Sequence, residues 1–217
     1  MKKISAIIFD LDGTLIDTEP MLVDAAKNLI EQRGGSLSHE EAEEIVLGKS
    51  AIDIYREIRE AVPGVFNSDQ EVESGIEEIY VEYCRHNDIR IPSSIELLKK
   101  LARHFPVAIV SGSHTRTVEE AAELMGVREI LAFCLGADDY PRGKPDPVCF
   151  LKAASMLEAD PEECLVFEDS EAGVAAAKNA GMYCVGLKRP EAPPQDLSLA
   201  DEILSDLAQF ELPCITD

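Results

Sequence analysis

Phe9-Asp10-Leu11-Asp12-Gly13-Thr14-Leu15 closes the first apolar run of this chain, Ile4–Phe9, and its reading decides the fold. The run is too short for a helix, so it predicts a buried strand that ends in two carboxylates one residue apart. Like charges that close are costly unless a cation lies between them or they share a proton. Gly13 then lets the backbone turn close to a ligand. A lone pair of aspartates is often a solvated acidic turn. Leaving an apolar strand and followed by Gly-Thr, this pair reads as a site.

Working outward, Val107–Val110, Phe133–Gly136, Leu165–Phe167 and Cys184–Leu187 read as further buried strands. Helical patterns separate the later ones at Thr117–Met125, Pro147–Leu157 and Glu171–Ala180, with Gly126 and Gly181 as natural stops. Strands alternating with helices predict right-handed crossovers and a doubly wound parallel sheet, a Rossmann-like α/β core. Residues 16–88 break the rhythm with helical patterns only: Pro20–Arg33, Glu40–Leu47, Ala51–Val62 and Gln70–Arg85. They read as an inserted helical domain, which leaves 1–15 and 89–217 as the catalytic core. Arg189–Leu197, with three prolines, reads as a surface excursion.

In an open parallel sheet the ligand site lies beyond the carboxyl ends of the strands. The second strand ends in Val110-Ser111-Gly112-Ser113-His114-Thr115, whose hydroxyls and N–H groups before a helix suit an anion. His114 there reads as a cap or a surface residue. After the third strand, Pro141-Arg142-Gly143-Lys144-Pro145-Asp146-Pro147 holds Lys144 in a stiff segment, where a fixed ammonium offsets phosphate and carboxylate charge. The fourth strand ends in Glu168-Asp169-Ser170. Oxygen ligands from Asp10, Asp169 and Glu168, with waters, suit octahedral Mg²⁺.

This constellation resembles the haloacid dehalogenase superfamily of phosphohydrolases over nearly the whole chain: DLDGTL at Asp10–Leu15, Ser111 in VSGS, Lys144 in GKPDP, and FEDSEAG at Phe167–Gly173. The resemblance implies a Mg²⁺-dependent phosphatase of small phosphorylated metabolites, sugar or polyol phosphates, working through an aspartyl-phosphate. Asp10 would attack phosphorus, and Asp12 would act as general acid and base while turning its carbonyl to the metal. Ser111 and Lys144 would hold the phosphoryl group with Gly13, Thr14 and Gly112 around it, and Glu168 and Asp169 would complete the metal site. The inserted block resembles the four-helix cap of the β-phosphoglucomutase-like branch, hinged near Ile16–Thr18 and Asn87–Pro92. Gly48-Lys49-Ser50 resembles its specificity loop, with Lys49 either touching substrate or lying idle on the surface.

A sugar-phosphate mutase is the alternative within the same resemblance. It would carry an Arg after the Gly-x-Ser, where this chain has Ala51, and a His where it has Leu22. Phosphonoacetaldehyde hydrolase would need a lysine at the Ala51 position.

Twenty basic against 42 acidic residues give a net charge of −22. Such a surface repels nucleic acid and anionic lipid, which are excluded as main partners. It also repels an anionic substrate at long range, so the site must hold its own positive pocket. No apolar run approaches the roughly 20 residues of a membrane span, and Met1-Lys2-Lys3 followed by a run that stops at Asp10 does not make a secretion signal. The six cysteines (Cys84, Cys134, Cys149, Cys164, Cys184 and Cys214) form no CxxC pair, which fits a reducing cytoplasm. The cap type implies a monomer.

Overall fold

In the computed structural model, residues 3–47, 49, 51–190 and 192–212 are described; Met1, Lys2, Gly48, Ser50, Glu191 and 213–217, Cys214 among them, lie outside the described residues, as does the Cys84 side chain. Six parallel strands among them, β1 (Ala6–Phe9), β2 (Val107–Val110), β3 (Phe133–Leu135), β4 (Cys164–Glu168), β5 (Tyr183–Leu187) and β6 (Glu202–Leu204), form one sheet ordered β3-β2-β1-β4-β5-β6. Helices α1 (Glu19–Gln32), α2 (His39–Val46), α3 (Ala51–Ala61) and α4 (Asp69–His86) follow β1. The later connections carry α5 (Pro92–Leu101), α6 (Thr115–Leu124), α7 (Val148–Met156) and α8 (Glu171–Asn179).

This is the doubly wound α/β core that the sequence predicts. The chain winds from β1 outward through β2 to β3, then crosses back to β4 on the other side of β1 and continues to β6. The order reverses at β1, and its carboxyl end is where such folds open a crevice. The register fixes what meets there: Phe9 pairs with Ile109 on one side and Phe167 on the other, so Asp10 emerges beside Val110 and Glu168. The Asp10 N–H donates to Phe167 O at 2.9 Å, carrying the pairing one residue further.

Every residue of β1, β2 and β4 is buried, which explains their unbroken apolar runs. Ala6 and Ile8 pack with Phe150, Ala153, Val174 and Ala177 of α7 and α8. Phe9 points to the opposite face and stacks on Phe167 with centroids 4.5 Å apart, and Phe210 meets Phe167 edge-on at 5.0 Å.

Two elements lie outside the sequence reading. β6 is three residues long and half exposed, too short for a periodicity to register, and α5 begins at a proline directly behind the inserted block. Cys134, Cys149, Cys164 and Cys184 are buried free thiols. No described helix is long and apolar enough to cross a membrane.

The chain divides into two compact units, Met1–Ile16 with Arg90–Asp217, and Asp17–Ile89. The second is helical with a core of its own, built from Val23, Ala26, Ile30, Ile45, Ile54, Ile58, Val72 and Ile76. Ser38 opens α2 with a reciprocal cap: Glu41 N–H donates to its Oγ at 3.2 Å, and Ser38 N–H donates to Glu41 Oε2 at 2.8 Å.

The Phe9–Phe167 stack lies directly beneath the strand ends that bear the carboxylates. Phe167→Ala is expected to destabilise the α/β unit by about 3–5 kcal/mol, read as a lower urea midpoint. An unchanged midpoint would show that the stack contributes nothing.

Candidate active site

Lys144 organises the site. Its ammonium donates to Asp10 Oδ1 at 2.6 Å, to Glu168 Oε1, and to Val110 O at 3.3 Å, so one cation ties the ends of β1, β4 and β2 together. The segment that delivers it, Gly143-Lys144-Pro145, includes a cis Lys144–Pro145 bond. Burial alone would depress the Lys144 ammonium, but Asp10 and Glu168 outweigh that and hold it well above its usual value.

Asp10, Glu168 and Asp169 bring carboxylate oxygens within 4.8 Å of one another. One ammonium cannot neutralise three carboxylates. The surplus shows in the acids: burial, reinforced by Glu168 and Asp12, pushes Asp10 up to about 8 against the opposing pull of Lys144. Burial with Asp10 and Glu168 raises Asp169 likewise. Asp10 Oδ2 is buried without a hydrogen-bond partner. An all-oxygen cluster with excess negative charge and an unsatisfied carboxylate oxygen suits a small hard divalent cation.

The four acids do not play one role. Glu168 is fully buried and already saturated: Lys144 takes Oε1, while Oε2 accepts from Asp169 N–H, Ser170 N–H and Ser170 Oγ at 3.0, 3.0 and 2.9 Å. Those bonds set the turn from β4 into α8 and aim Asp169, so Glu168 braces that turn while standing in the oxygen cluster in which it was expected as a ligand. The Asp12 carboxylate, by contrast, lies outside the cluster; Ser111 Oγ and Ser113 Oγ donate to its Oδ2 at 2.8 and 2.9 Å. What Asp12 has to offer a metal is then its backbone carbonyl.

Glycine makes the closeness possible. Gly13 has φ +85°, and a Cβ there would lie 1.9 Å from Asp169 Oδ2. At Gly173 a Cβ would lie 1.8 Å from Glu168 Oε1. Thr14, fully buried, donates its hydroxyl to Asp169 Oδ1 at 3.2 Å. The Gly13 N–H is likewise engaged, donating to Ile16 O at 2.7 Å. Gly112 is exposed, with open space where a side chain would stand.

Three contributors escaped the sequence reading. Ser113 is the second hydroxyl on Asp12. Tyr140, buried, donates to Ser111 O at 2.6 Å and fixes the backbone of that loop. Arg189, in the stretch taken for a surface excursion, donates to Gly13 O at 3.1 Å. The sequence marks them only weakly: Ser113 is a hydroxyl two residues beyond Ser111, and Arg189 a basic residue two residues beyond the end of β5. His114 pairs with Asp138 at 2.9 Å on the exposed rim and gives α6 no side-chain cap. Lys49, in the helical unit, is exposed and pairs with Glu57 there.

Lys144→Met would leave three acids facing one another. Breaking a buried pair in this way is expected to cost about 3–5 kcal/mol at neutral pH, measured by urea unfolding in EDTA. Asp10 and Asp169 titrate above their unfolded values, so the native state binds protons more readily. The deficit is therefore expected to shrink as pH falls toward about 5; a deficit constant with pH would contradict the surplus of negative charge.

A family model, haloacid dehalogenase-like hydrolase, matches residues 4–181. Hexitol phosphatase A of Escherichia coli is 31% identical over 205 residues, covering 94% of this chain and 91% of that one. A bifunctional riboflavin kinase/FMN phosphatase of Arabidopsis thaliana is 31% identical over 223 residues, 98% of this chain, which spans 56% of that relative's length. Among solved structures, CbbY from Rhodobacter sphaeroides in complex with phosphate has the same fold, with a TM-score of 0.83 at 24% identity over 95% of this chain and 96% of that one.

Proposed function

This chain belongs to the haloacid dehalogenase-like hydrolases, and on that premise we propose that it is a Mg²⁺-dependent phosphatase of small phosphorylated metabolites, sugar or polyol phosphates foremost. The observation that carries this reading is Asp10: a buried carboxylate with one oxygen on Lys144 and the other unsatisfied, inside an all-oxygen cluster. The relative that hydrolyses hexitol phosphates supports the substrate class.

Asp10 attacks phosphorus, and the bond from phosphorus to the alcohol oxygen breaks as Asp12 delivers its proton to that oxygen. Water then attacks the aspartyl-phosphate and gives a proton back to Asp12, and the bond from phosphorus to Asp10 breaks to release phosphate. Lys144 offsets the charge of nucleophile and phosphoryl group together, and Ser111 donates to a phosphoryl oxygen. Asp10 and Asp169, with the Asp12 carbonyl, would hold Mg²⁺, which when bound withdraws charge from carboxylate and phosphate alike. This is the local positive pocket that a chain of net charge −22 needs.

The helical unit is assigned to substrate selection as a cap, with Lys49 as its reading residue. Four buried free thiols support the reducing cytoplasm as its compartment, and a monomer that binds neither nucleic acid nor membrane is the working form.

With p-nitrophenyl phosphate in Mg²⁺, Asp10→Asn is expected to abolish turnover, and EDTA to abolish it reversibly in the wild type. Substantial activity in either case would sink the covalent or the metal assignment respectively. Phosphate release across hexose, polyol, nucleotide and glycolate phosphates identifies the substrate. On the best of these, Lys49→Ala is expected to raise KM several-fold with kcat nearly unchanged; equal KM values would place Lys49 outside recognition.

A further inference from the structure

Two demands fall on the Ser111 hydroxyl, and it has one proton to meet them. In the structure Ser111 Oγ donates it to Asp12 Oδ2, at 2.8 Å. The chemistry proposed above needs it on a phosphoryl oxygen. Once a phosphoryl group is bound, Asp12 loses this donor at the moment when its direction matters most.

We propose that Ser113 is the positioning residue for Asp12, the donor that keeps its carboxylate aimed while Ser111 serves the phosphoryl group. The inference rests on the reading of Asp12 as proton carrier. Ser113 Oγ donates to the same oxygen, Asp12 Oδ2, at 2.9 Å. A carboxylate gripped on Oδ2 turns Oδ1 toward the leaving oxygen, and the efficiency of a general acid depends on that alignment.

The surroundings suit the role. The Ser113 N–H donates to Ser111 Oγ at 3.0 Å, an acceptor bond that leaves the Ser111 proton free to choose its partner. The Ser113 carbonyl accepts from Ala137 N–H at 2.8 Å, and a Cβ on Gly136 would lie 2.6 Å from it, so the main chain at Ser113 is pressed against the end of β3. Tyr140 clamps the Ser111 carbonyl from the same side. With both backbones fixed, only the hydroxyls are left to rotate. Ser113 has no capping duty to explain it: the cap residue of α6 is His114, and the Ser113 hydroxyl goes to Asp12.

The test is kcat/KM, which reports steps up to departure of the leaving group, across aryl phosphates from p-nitrophenyl to phenyl phosphate. Poorer leaving groups depend more on Asp12. Ser113→Ala is expected to lose about 3-fold on p-nitrophenyl phosphate and about 30-fold on phenyl phosphate, part of the 10²–10⁴ a general acid supplies. Ser113→Thr, which keeps a hydroxyl, is expected to restore the wild-type dependence. Asp12→Ala is the reference and steepens the series further. If Asp12→Ala steepens it while Ser113→Ala loses equally on every ester, or if Ser113→Thr behaves like Ser113→Ala, the inference on Ser113 is overturned and the reading of Asp12 stands. If Asp12→Ala leaves the series unchanged, the reading of Asp12 fails and the inference falls with it. Should Ser113→Ala not fold by circular dichroism, the near-isosteric weak donor Ser113→Cys carries the same comparison.

Discussion

Three strand ends meet on one buried ammonium, and the site depends on how incompletely that ammonium neutralises them. Lys144 reaches Asp10 from β1, Glu168 from β4 and the Val110 carbonyl from β2. A buried ion pair is a weak source of stability, because desolvation takes back most of the Coulombic gain. Its value here is geometric, since it sets where two carboxylates stand relative to the end of β2. The imbalance has a second consequence. Asp10 and Asp169 are displaced upward, by burial first and by neighbouring carboxylates next, and Lys144 is held upward by Asp10 and Glu168 against its burial. The surplus of negative charge favours uptake of positive charge, and a divalent cation would supply it without protonating Asp10.

Around this centre the acids divide the work by the donors they meet. Glu168 has four donors and braces; Asp169 has Thr14 and faces the cluster; Asp12 is drawn away by two serines; Asp10 keeps an oxygen with no partner. A carboxylate rich in hydrogen bonds is a poor nucleophile and a rigid strut, and the unsatisfied one is the reverse. The distribution sets chemically similar residues in different environments, which is what the proposed division of roles in phosphoryl transfer requires.

Much of this was legible in the sequence, and for a physical reason. Fully buried parallel strands read as unbroken apolar runs, so residues at their ends stand out, and Asp10, Asp12, Ser111, Lys144, Glu168 and Asp169 were all singled out that way. What could not be read is which partner satisfies each group. The bonds from the N–H groups of Asp169 and Ser170 to Glu168, and from the Thr14 hydroxyl to Asp169, form only once the turns are folded. Ser113 and Arg189 lie among residues of unremarkable type, and only the packing of the loops after β2 and β5 brings them to the Asp12–Gly13 turn. β6 was missed because three partly exposed residues show no period, whereas α5 was passed over although its buried Ile95, Leu98 and Leu101 recur at helical spacing.

The path of the chain adds a constraint on that turn. Gly13 N–H donates to Ile16 O, Leu15 and Ile16 N–H both donate to Leu11 O, and Ile16 is bridged to Arg90. Asp17 N–H then donates to Ile89 O at 2.6 Å. The helical unit therefore leaves and rejoins the chain within a few residues of Asp12, through segments hydrogen-bonded to each other and to the catalytic turn. An insertion at a distant sheet edge would leave the carboxylates indifferent to it. Within the α/β unit, Arg189 on the Gly13 carbonyl and Thr14 on Asp169 hold the turn that follows Asp12, so the geometry of that turn rests on bonds from the loop after β5 and from the end of β4.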